Sequence, residues 1–307
     1  MYTKSILRKQ YINYGKPILK IVFMSQGIID THIHVWNFDK AEYEWLKGDT
    51  SFLNRTYHIE EIEAERKAAG ITGGVLVQAT NHTEDTDWML EVAANTEWVK
   101  GVVGWLPLMD PDATARLLEV YLKNKYYKGI RHLIHDEPNA DWLLQETVIE
   151  SLKILAKNNV PFDLVGILPA HIETVLIVAG KVPELKMIFD HLNQPPISTK
   201  EKFGQWGILI KEAAGNKNFY AKISGLGTTV KNGDQWTAAD IQPYVEFALE
   251  HFGTNRCFCG GDWPVSLLAG SYTKTWTNYK QLLGSLLSTE EQVQVFSVNA
   301  TRFYNLK

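Results

Sequence analysis

From Gly27 onward, short apolar runs alternate along the chain with longer stretches in which apolar residues recur every three or four positions. Short apolar runs are typical of buried strands, and the longer period is typical of helices that cover them. The first strand begins with Ile28 and Ile29, and seven more are predicted at residues 71–80, 99–108, 127–135, 161–168, 185–192, 219–226 and 256–265. Helices are predicted between them at residues 58–69, 84–95, 111–123, 142–158, 169–178, 203–214, 238–252 and 274–287, with a last helix at residues 290–304.

Strands that alternate with helices form βαβ units, and eight such units predict a closed α/β barrel, the (β/α)8 or TIM barrel. An open flavodoxin-like sheet is the alternative fold. It would need fewer strands, and no glycine-rich phosphate loop follows the first strand. The barrel is expected to occupy residues 25–307 as one domain, with its active site at the carboxyl ends of the strands.

Two segments fall outside the regular alternation. Residues 1–24 are basic and lack the apolar core and cleavage site of a secretory signal, so we expect an extension that packs poorly, or a biological start at Met24. The loop at residues 38–57 is long and contains Tyr43, Trp45 and Phe52. Long loops in compact domains are usually functional, and this one predicts a lid over a substrate.

Composition narrows the class of protein. The 307 residues are 45% hydrophobic and 21% charged, which is ordinary for a soluble enzyme, and no apolar run approaches the roughly 20 residues of a membrane helix. Five basic residues precede the first acidic one, Asp30, so the rest of the chain carries a net charge of −9 and is a poor partner for nucleic acid. Cys257 and Cys259 alternate along one strand and point in parallel, so no disulfide is expected, and a reducing, cytoplasmic location is predicted.

Polar residues concentrate where the predicted strands end. They are Asp30, His32, His34, Gln78, Trp105, Arg131, His132, His135, His191, Lys222, Ser224 and Asp262. Side chains two apart on a strand share a face, so His32 and His34 point into one volume, where they can hold a metal or polarise a carbonyl. By the same spacing, Arg131 and His135 share a face and His132 lies on the other.

The order of several short motifs resembles a known family. They are DTHIH at 30–34, VLVQA at 75–79, KGIRHL at 128–133, FDHL at 189–192, KISGL at 222–226 and GGDWPV at 260–265. Together they resemble the amidohydrolase superfamily, and within it the amidohydrolase-related TIM-barrel hydrolases. That branch contains sugar-acid lactonases such as L-fuconolactone and L-rhamnonolactone hydrolases, and the pyrone dicarboxylate lactonase.

The resemblance implies roles for four matching residues. His32 and His34 match the paired histidines of strand one, His191 the histidine of strand six, and Asp262 the aspartate that takes a proton from the attacking water. The superfamily binds one or two divalent metals with such residues. Strand four has Arg131 where a bridging lysine is expected, and strand five ends without a histidine. At most one ion, expected to be zinc on His32, His34 and Asp262, is therefore implied, and independence of metal stays open.

These features predict an enzyme, a hydrolase that opens the lactone of a sugar-derived acid in carbohydrate catabolism. Ester hydrolysis needs a base, an electrophile and a proton donor. The expected base is Asp262, carbonyl polarisation falls to His32 and His34 with or without one ion, and His191 protonates the leaving oxygen. The residues expected to bind substrate are Arg131, Lys222, Trp36, Gln78, Trp263 and His132, the last also a candidate proton donor.

Three alternatives stay open: a metal-dependent decarboxylase, an amide hydrolase of the same superfamily, and a non-catalytic barrel that binds a ligand. The expected partner is a small-molecule sugar lactone, without nucleic acid or membrane. The oligomeric state is left open, a homo-oligomer included.

Overall fold

The computed structural model describes residues 27–307 and contains a barrel of eight parallel strands in chain order. The strands are β1 (Ile28–Ile33), β2 (Ile71–Val77), β3 (Val99–Gly104), β4 (Tyr127–His132), β5 (Phe162–Leu164), β6 (Met187–Phe189), β7 (Phe219–Ile223) and β8 (Cys257–Cys259). The predicted α/β class and (β/α)8 TIM barrel are confirmed. The expectations for residues 1–24 lie outside the described residues.

The ring closes between β8 and β1 through backbone hydrogen bonds just beyond the two strands. The N–H of Asp262 donates to the carbonyl of His32 over 2.7 Å, and the N–H of His34 donates to the carbonyl of Trp263 over 2.7 Å. A parallel bridge joins Ile33 to Trp263 at the same place. These bonds bring residues from the two ends of the barrel sequence to one rim.

Helices cover the outside of the ring. They are α1 (Glu63–Ala68), α2 (Thr83–Asn95), α3 (Pro111–Tyr121), α4 (Glu146–Lys157), α5 (Pro169–Lys181), α6 (Gly204–Ala214), α7 (Leu226–Val230), α8 (Ala238–Phe252), α9 (Tyr272–Leu286), α10 (Thr289–Val293) and α11 (Asn299–Phe303). The predicted helix at 58–69 consists of the 3-10 turn Ile59–Ile62 followed by α1, and the predicted last helix is interrupted by the π-helical turn Gln294–Val298. None of the helices within residues 27–307 has both the length and the apolar character that crossing a bilayer would require.

The last strands are shorter than their apolar runs predict. β5, β6 and β8 contain three residues each, although the residues just past their carboxyl ends, Val165, Asp190 and Gly260, remain buried. After β6 the backbone turns left-handed at His191, with a φ of 55°, and after β8 it does so at Asp262, with a φ of 59°. An apolar run reports burial, and a buried loop produces the same run as a buried strand.

The core has an inner and an outer part. The inner cluster combines strand residues Val75, Val77, Val103, Ile188 and Phe258 with Ala300, Phe303, Tyr304 and Leu306 from the chain end. The larger cluster fills the space between strands and helices. Because α11 contributes to the inner cluster, the chain end blocks the amino-terminal foot of the barrel and the opposite rim is left for a site. Cys257 and Cys259 are buried and unbonded, as the spacing predicts.

The loop at residues 38–57 packs across the carboxyl-terminal rim and is fastened by a buried carboxylate. Tyr43 donates its hydroxyl to Asp85 over 2.7 Å, and the backbone N–H of Ala79 donates to Asp85 over 2.9 Å. Trp45 donates its indole N–H to the carbonyl of Ala79 over 2.8 Å. Asp85 therefore ties the loop to the end of β2.

The pKa of Asp85 predicts a pH dependence of stability. Burial raises this pKa from 3.8 to about 6, although the bonds from Ala79 and Tyr43 oppose the shift. Between these two values the folded protein binds a proton that the unfolded chain does not, so the free energy of unfolding increases as the pH falls from 6 to 4. The variant Asp85→Asn lacks this term, and wild type should gain up to about 3 kcal/mol relative to it across that interval.

Denaturant unfolding followed by tryptophan fluorescence at a series of pH values measures this difference. Subtracting the two proteins cancels the titration of the other buried carboxyls. A difference that stays constant between pH 7 and pH 4 would contradict the expected proton uptake by Asp85.

Candidate active site

Three histidines surround the carboxylate of Asp262 at the rim of the barrel. Its Oδ1 lies 3.5 Å from His34 Nε2, 3.7 Å from His32 Nε2 and 3.9 Å from His191 Nε2. All four side chains are buried. The structure thus brings together the histidine pair of β1 and the aspartate that follows β8, because the closure of the ring joins these two segments.

Left-handed backbone aims two of these side chains. His191 begins a run of four non-glycine residues with φ between 49° and 55°, and Asp262 has a φ of 59°. Each such residue costs roughly 1–2 kcal/mol relative to ordinary backbone. Neighbours hold the run in place: Ser224 Oγ accepts the N–H of His191 over 3.2 Å, and Trp206 donates to the carbonyl of Leu192 over 2.8 Å. Backbone strain of this kind concentrates at functional sites, where it fixes side-chain geometry.

Gly225 fills a position that no other residue fits. Its φ is +58°, and a Cβ added there would lie 2.5 Å from His191 Nδ1 and 2.8 Å from Asp262 Oδ2. These separations are well below van der Waals contact. The absence of a side chain at Gly225 therefore allows His191 and Asp262 to approach each other.

Asp30 fastens β1 to the segment that carries Asp262. Its carboxylate accepts hydrogen bonds from the N–H of Gly261 over 2.7 Å, the N–H of His32 over 2.9 Å and the hydroxyl of Tyr272 over 2.6 Å. Burial raises the pKa of Asp30 to about 6 despite these bonds. The carboxylate of Asp30 therefore accepts hydrogen bonds from the backbone on both sides of the ring closure.

A buried network of four charges lies beneath the histidines. Lys222 Nζ is 2.6 Å from Asp163 Oδ2 and 2.7 Å from Asp190 Oδ1, and Arg131 Nη1 is 3.5 Å from Asp190 Oδ2. Burial favours a lower pKa for Lys222, but the two carboxylates raise it above its ordinary value. Two cations and two anions balance, which the low dielectric of the interior requires.

His32 is held between the two cations of that network. Its Nε2 is 3.2 Å from Arg131 Nη1, and its Nδ1 is 3.4 Å from Lys222 Nζ and 3.6 Å from Asp190 Oδ1. Burial lowers the pKa of His32 well below its ordinary value, although Asp190 opposes the shift and Lys222 adds to it. The ring is therefore neutral and its position is fixed from below.

A cavity of about 220 Å³ opens above the cluster. Its lining residues are His34, Trp45, Ala79, Arg131, Leu133, His135, Asp136, Val165, Ile167, His191, Gln194, Gly225, Thr228, Asp262 and Val265. Small-molecule sites for drug-sized ligands occupy roughly 300–1,000 Å³. The cavity is therefore sized for one small ring.

Of the residues predicted to form the site, His34, Arg131, His191 and Asp262 line this cavity, whereas His32 lies just below it. The other predicted substrate-binding residues lie away from its wall. Lys222 is 0% exposed and bound to two carboxylates. Gln78 is also 0% exposed, and its amide donates to the carbonyl of Arg131 over 3.1 Å.

The two tryptophans predicted to bind substrate, Trp36 and Trp263, support the rim. Trp36 is buried, donates to the carbonyl of Arg55 over 2.5 Å and packs edge-on against Trp45. Trp263 packs edge-on against Tyr57. Their rings fasten the 38–57 loop to the barrel, so the face available to a substrate is that of Trp45.

His132 lies on the opposite face of β4, as its spacing from Arg131 predicts. The indole of Trp105 donates to its Nδ1 over 3.0 Å, so its Nε2 carries the proton and donates to Glu137 Oε1 over 2.7 Å. The ring also stacks on Trp142, with 4.1 Å between centroids. His132 therefore fixes the loop after β4, away from the cavity wall.

Sequence reasoning placed His135 on the face of Arg131 without giving it a role, and it missed Asp136, Asp163 and Asp190. His135 and Asp136 line the cavity from the loop after β4, and no periodicity marks Asp136. Asp163 and Asp190 lie in the buried network, and for these a signal existed. Arg131 and Lys222 are cations on buried strands, and a buried cation requires a carboxylate on a neighbouring strand.

Comparison with known proteins places these observations in a family context. A family model described as amidohydrolase matches residues 29–306. A relative named L-fucono-1,5-lactonase, from Burkholderia ambifaria, is 29% identical over 281 residues, which cover 91% of this chain and 95% of the relative. A relative named L-rhamnono-gamma-lactonase, from Scheffersomyces stipitis, is 28% identical over 200 residues, covering 58% of this chain and 59% of the relative.

A solved structure gives the same picture of the fold. A crystal structure described as an amidohydrolase from Burkholderia multivorans with bound Zn has a TM-score of 0.83 and 26% sequence identity, and the match covers 91% of this chain and 99% of that one.

The close approach at Gly225 predicts the effect of one added methyl group. Gly225→Ala should displace His191 and Asp262 and lower turnover about 100-fold, because misplacement of reacting groups by 1 Å can cost that much. Gly180→Ala is the matched control, since a Cβ at Gly180 in α5 meets nothing within 4 Å. The control should keep full activity and gain about 0.5–1 kcal/mol of stability. Steady-state kinetics and thermal unfolding measure both effects, and full activity in Gly225→Ala would refute the proposed packing constraint.

Proposed function

The chain belongs to the amidohydrolase family, and from this membership we propose that it is a hydrolase that opens the ring of a lactone, a cyclic ester, of a sugar-derived acid. The observation that carries the proposal is the carboxylate of Asp262 within 3.9 Å of three imidazoles at the wall of a small cavity. The names of the two lactonase relatives support a sugar lactone as the substrate class.

Asp262 is the proposed base. Burial favours a higher pKa, but His191 foremost lowers the pKa of Asp262 to about 2, so its carboxylate is ionised and accepts a proton. His34 Nδ1 lies 2.8 Å from the carbonyl of Val77, which only accepts, so the neutral ring presents an acceptor at Nε2. A water that donates to both Asp262 and His34 directs an oxygen lone pair toward the ester carbonyl.

His191 is the proposed proton donor. Ser224 Oγ accepts the backbone N–H of His191 and lies 2.9 Å from Nδ1, so the serine hydroxyl can donate to Nδ1 and leave the ring proton on Nε2. As water adds to the carbonyl carbon, its proton passes to Asp262. The ring carbon–oxygen bond then breaks, and the Nε2 proton of His191 passes to the leaving alkoxide.

One divalent cation fits the cluster. Donor atoms from His32, His191 and Asp262 lie within 4.8 Å of one another. His191 can be a ligand only with its ring proton on Nδ1, where Ser224 Oγ, 2.9 Å away, accepts it, so its roles as ligand and as proton donor belong to the ion-bound and the ion-free enzyme, respectively. His34 Nε2 faces Asp262 Oδ1 over 3.5 Å as a further acceptor. Burial lowers the pKa of both His32 and His34, which keeps them in the neutral form that metal ligation needs. Zinc is the ion that we propose, because imidazole and carboxylate are its usual ligands.

A bound ion would polarise the ester carbonyl. The guanidinium of Arg131, 3.2 Å from His32 Nε2, opposes a second cation beside the first. The sequence predicts that His32 and His34 polarise the ester carbonyl. The contacts support His34 and His191 as the groups that face the substrate, with His32 as a support beneath them.

A panel of L- and D-aldonolactones with a pH indicator tests the proposed reaction, because each turnover releases an acid. We expect hydrolysis of at least one lactone, and Asp262→Asn should lower kcat by about 100- to 10,000-fold, the usual contribution of a general base. No reaction with any lactone, together with turnover of an amide or release of carbon dioxide from a carboxylic acid, would replace lactonase with another reaction of the family. Ligand binding without turnover of any of these compounds would favour a binding protein.

Metal analysis of the purified protein tests the ion separately. We expect about one equivalent of zinc, reduced in His191→Ala and unchanged in His58→Ala, whose histidine lies in the cavity between the 3-10 turn Ile59–Ile62 and α2. Dialysis against a chelator, followed by the lactone assay, shows how much of the rate depends on the ion. Absence of bound metal with full activity after chelation would reject the zinc site and leave the hydrolase proposal intact.

A further inference from the structure

Two hydrogen-bond acceptors, His135 and Asp136, lie side by side in the cavity wall, on the loop that follows β4. His135 Nδ1 is 3.0 Å from the carbonyl of Val165, and since a carbonyl only accepts, Nδ1 carries the ring proton and Nε2 presents a lone pair. Asp136 Oδ1 lies 3.4 Å from that Nε2. Burial lowers the pKa of His135 although Asp136 opposes the shift, so the ring stays neutral.

Within the described part of the chain, this pair receives no hydrogen bond from a side chain or a backbone N–H. Among residues 27–307, the side chain of Asp136 accepts no hydrogen bond, and Nε2 of His135 faces only its carboxylate. Both residues line the cavity. Two adjacent acceptors without donors match two neighbouring hydroxyl groups, each of which can donate one hydrogen bond.

Among the residues that the structure describes, this wall has no cation free to bind a carboxylate. Arg131 is the only lysine or arginine among the described lining residues, and its guanidinium is directed to Asp190, to the carbonyl of Gln78 and to His32. The carboxylate of Asp190 also neutralises the positive charge of Arg131. Asp136 adds a negative charge that would repel an anionic substrate.

We propose that His135 and Asp136 determine specificity by accepting hydrogen bonds from adjacent hydroxyls of the substrate, so that the enzyme selects uncharged polyhydroxylated lactones and rejects lactones that carry a carboxylate. The inference rests on the proposed lactonase function and extends it to the substrate class. Neither residue takes part in proton transfer to or from the ester.

The test compares one uncharged aldonolactone, the fastest of the panel, with the corresponding aldarolactone, which carries a carboxylate at its far carbon. Wild type should prefer the uncharged lactone by about 100-fold or more in kcat/KM. Asp136→Ala should raise KM for it about tenfold, as expected for a lost hydrogen bond to a charged group, and change kcat far less. Asp136→Asn, which keeps an acceptor oxygen but removes the charge, should narrow the preference for the uncharged lactone at least tenfold, because the repelling charge is gone.

Glu290→Gln is the matched control, since it removes one negative charge from an exposed position in α10. It should leave both kinetic constants and the preference unchanged. His135→Ala should raise KM as Asp136→Ala does, and His135→Gln, which keeps an acceptor, should restore part of the loss.

The outcomes separate the two proposals. Hydrolysis of both lactones with equal kcat/KM, or an unchanged preference in Asp136→Asn, would overturn the specificity role while the lactonase function stands. An absence of hydrolysis of every lactone would reject the proposed function, and the specificity role with it.

Discussion

The backbone hydrogen bonds that close the barrel between β1 and β8 are the constraint on which the site depends. They set His34 and Asp262 on adjacent segments, and the carboxylate of Asp30 ties the same two segments together from beneath. Neither the histidine pair nor the aspartate could define a site alone, because each needs the other within a few ångströms. Closure of the ring therefore creates the chemical centre as well as the fold.

The floor of the site is formed by charged side chains, whereas the interior of most barrels is filled by apolar ones. Arg131 and Lys222 are neutralised by Asp163 and Asp190, and the network holds His32 from two sides. Removal of any one member would leave an uncompensated buried charge, which is far more costly than the loss of an exposed ion pair. The charged residues beneath the cavity thus hold His32 in place and do not bind substrate themselves. Few unpaired charges are left on the cavity wall above them.

Strained backbone and the absence of one side chain also position the reacting groups. The left-handed backbone at His191 and Asp262, and the missing side chain at Gly225, hold a base and a proton donor closer together than relaxed strands would allow. The energy of that strain is supplied by packing elsewhere in the barrel. Such preorganisation suits a reaction in which a proton leaves water on one side of the ester and arrives on the other, because little needs to move during turnover.

The sequence by itself determined the number and order of the strands, because their apolar runs and the helical periods between them persist whatever the loops do. Parallel order then placed the residues at the carboxyl ends of the strands on one rim, so the meeting of His34 with Asp262 could be predicted. Depth and direction were decided only by the tertiary structure. Alternation along a strand gives the face of a residue but not its height in the barrel, so Lys222 was predicted at the wall and lies below it. Loops have no repeating pattern of apolar residues. The position of Asp136 at the cavity is therefore known only from the folded structure.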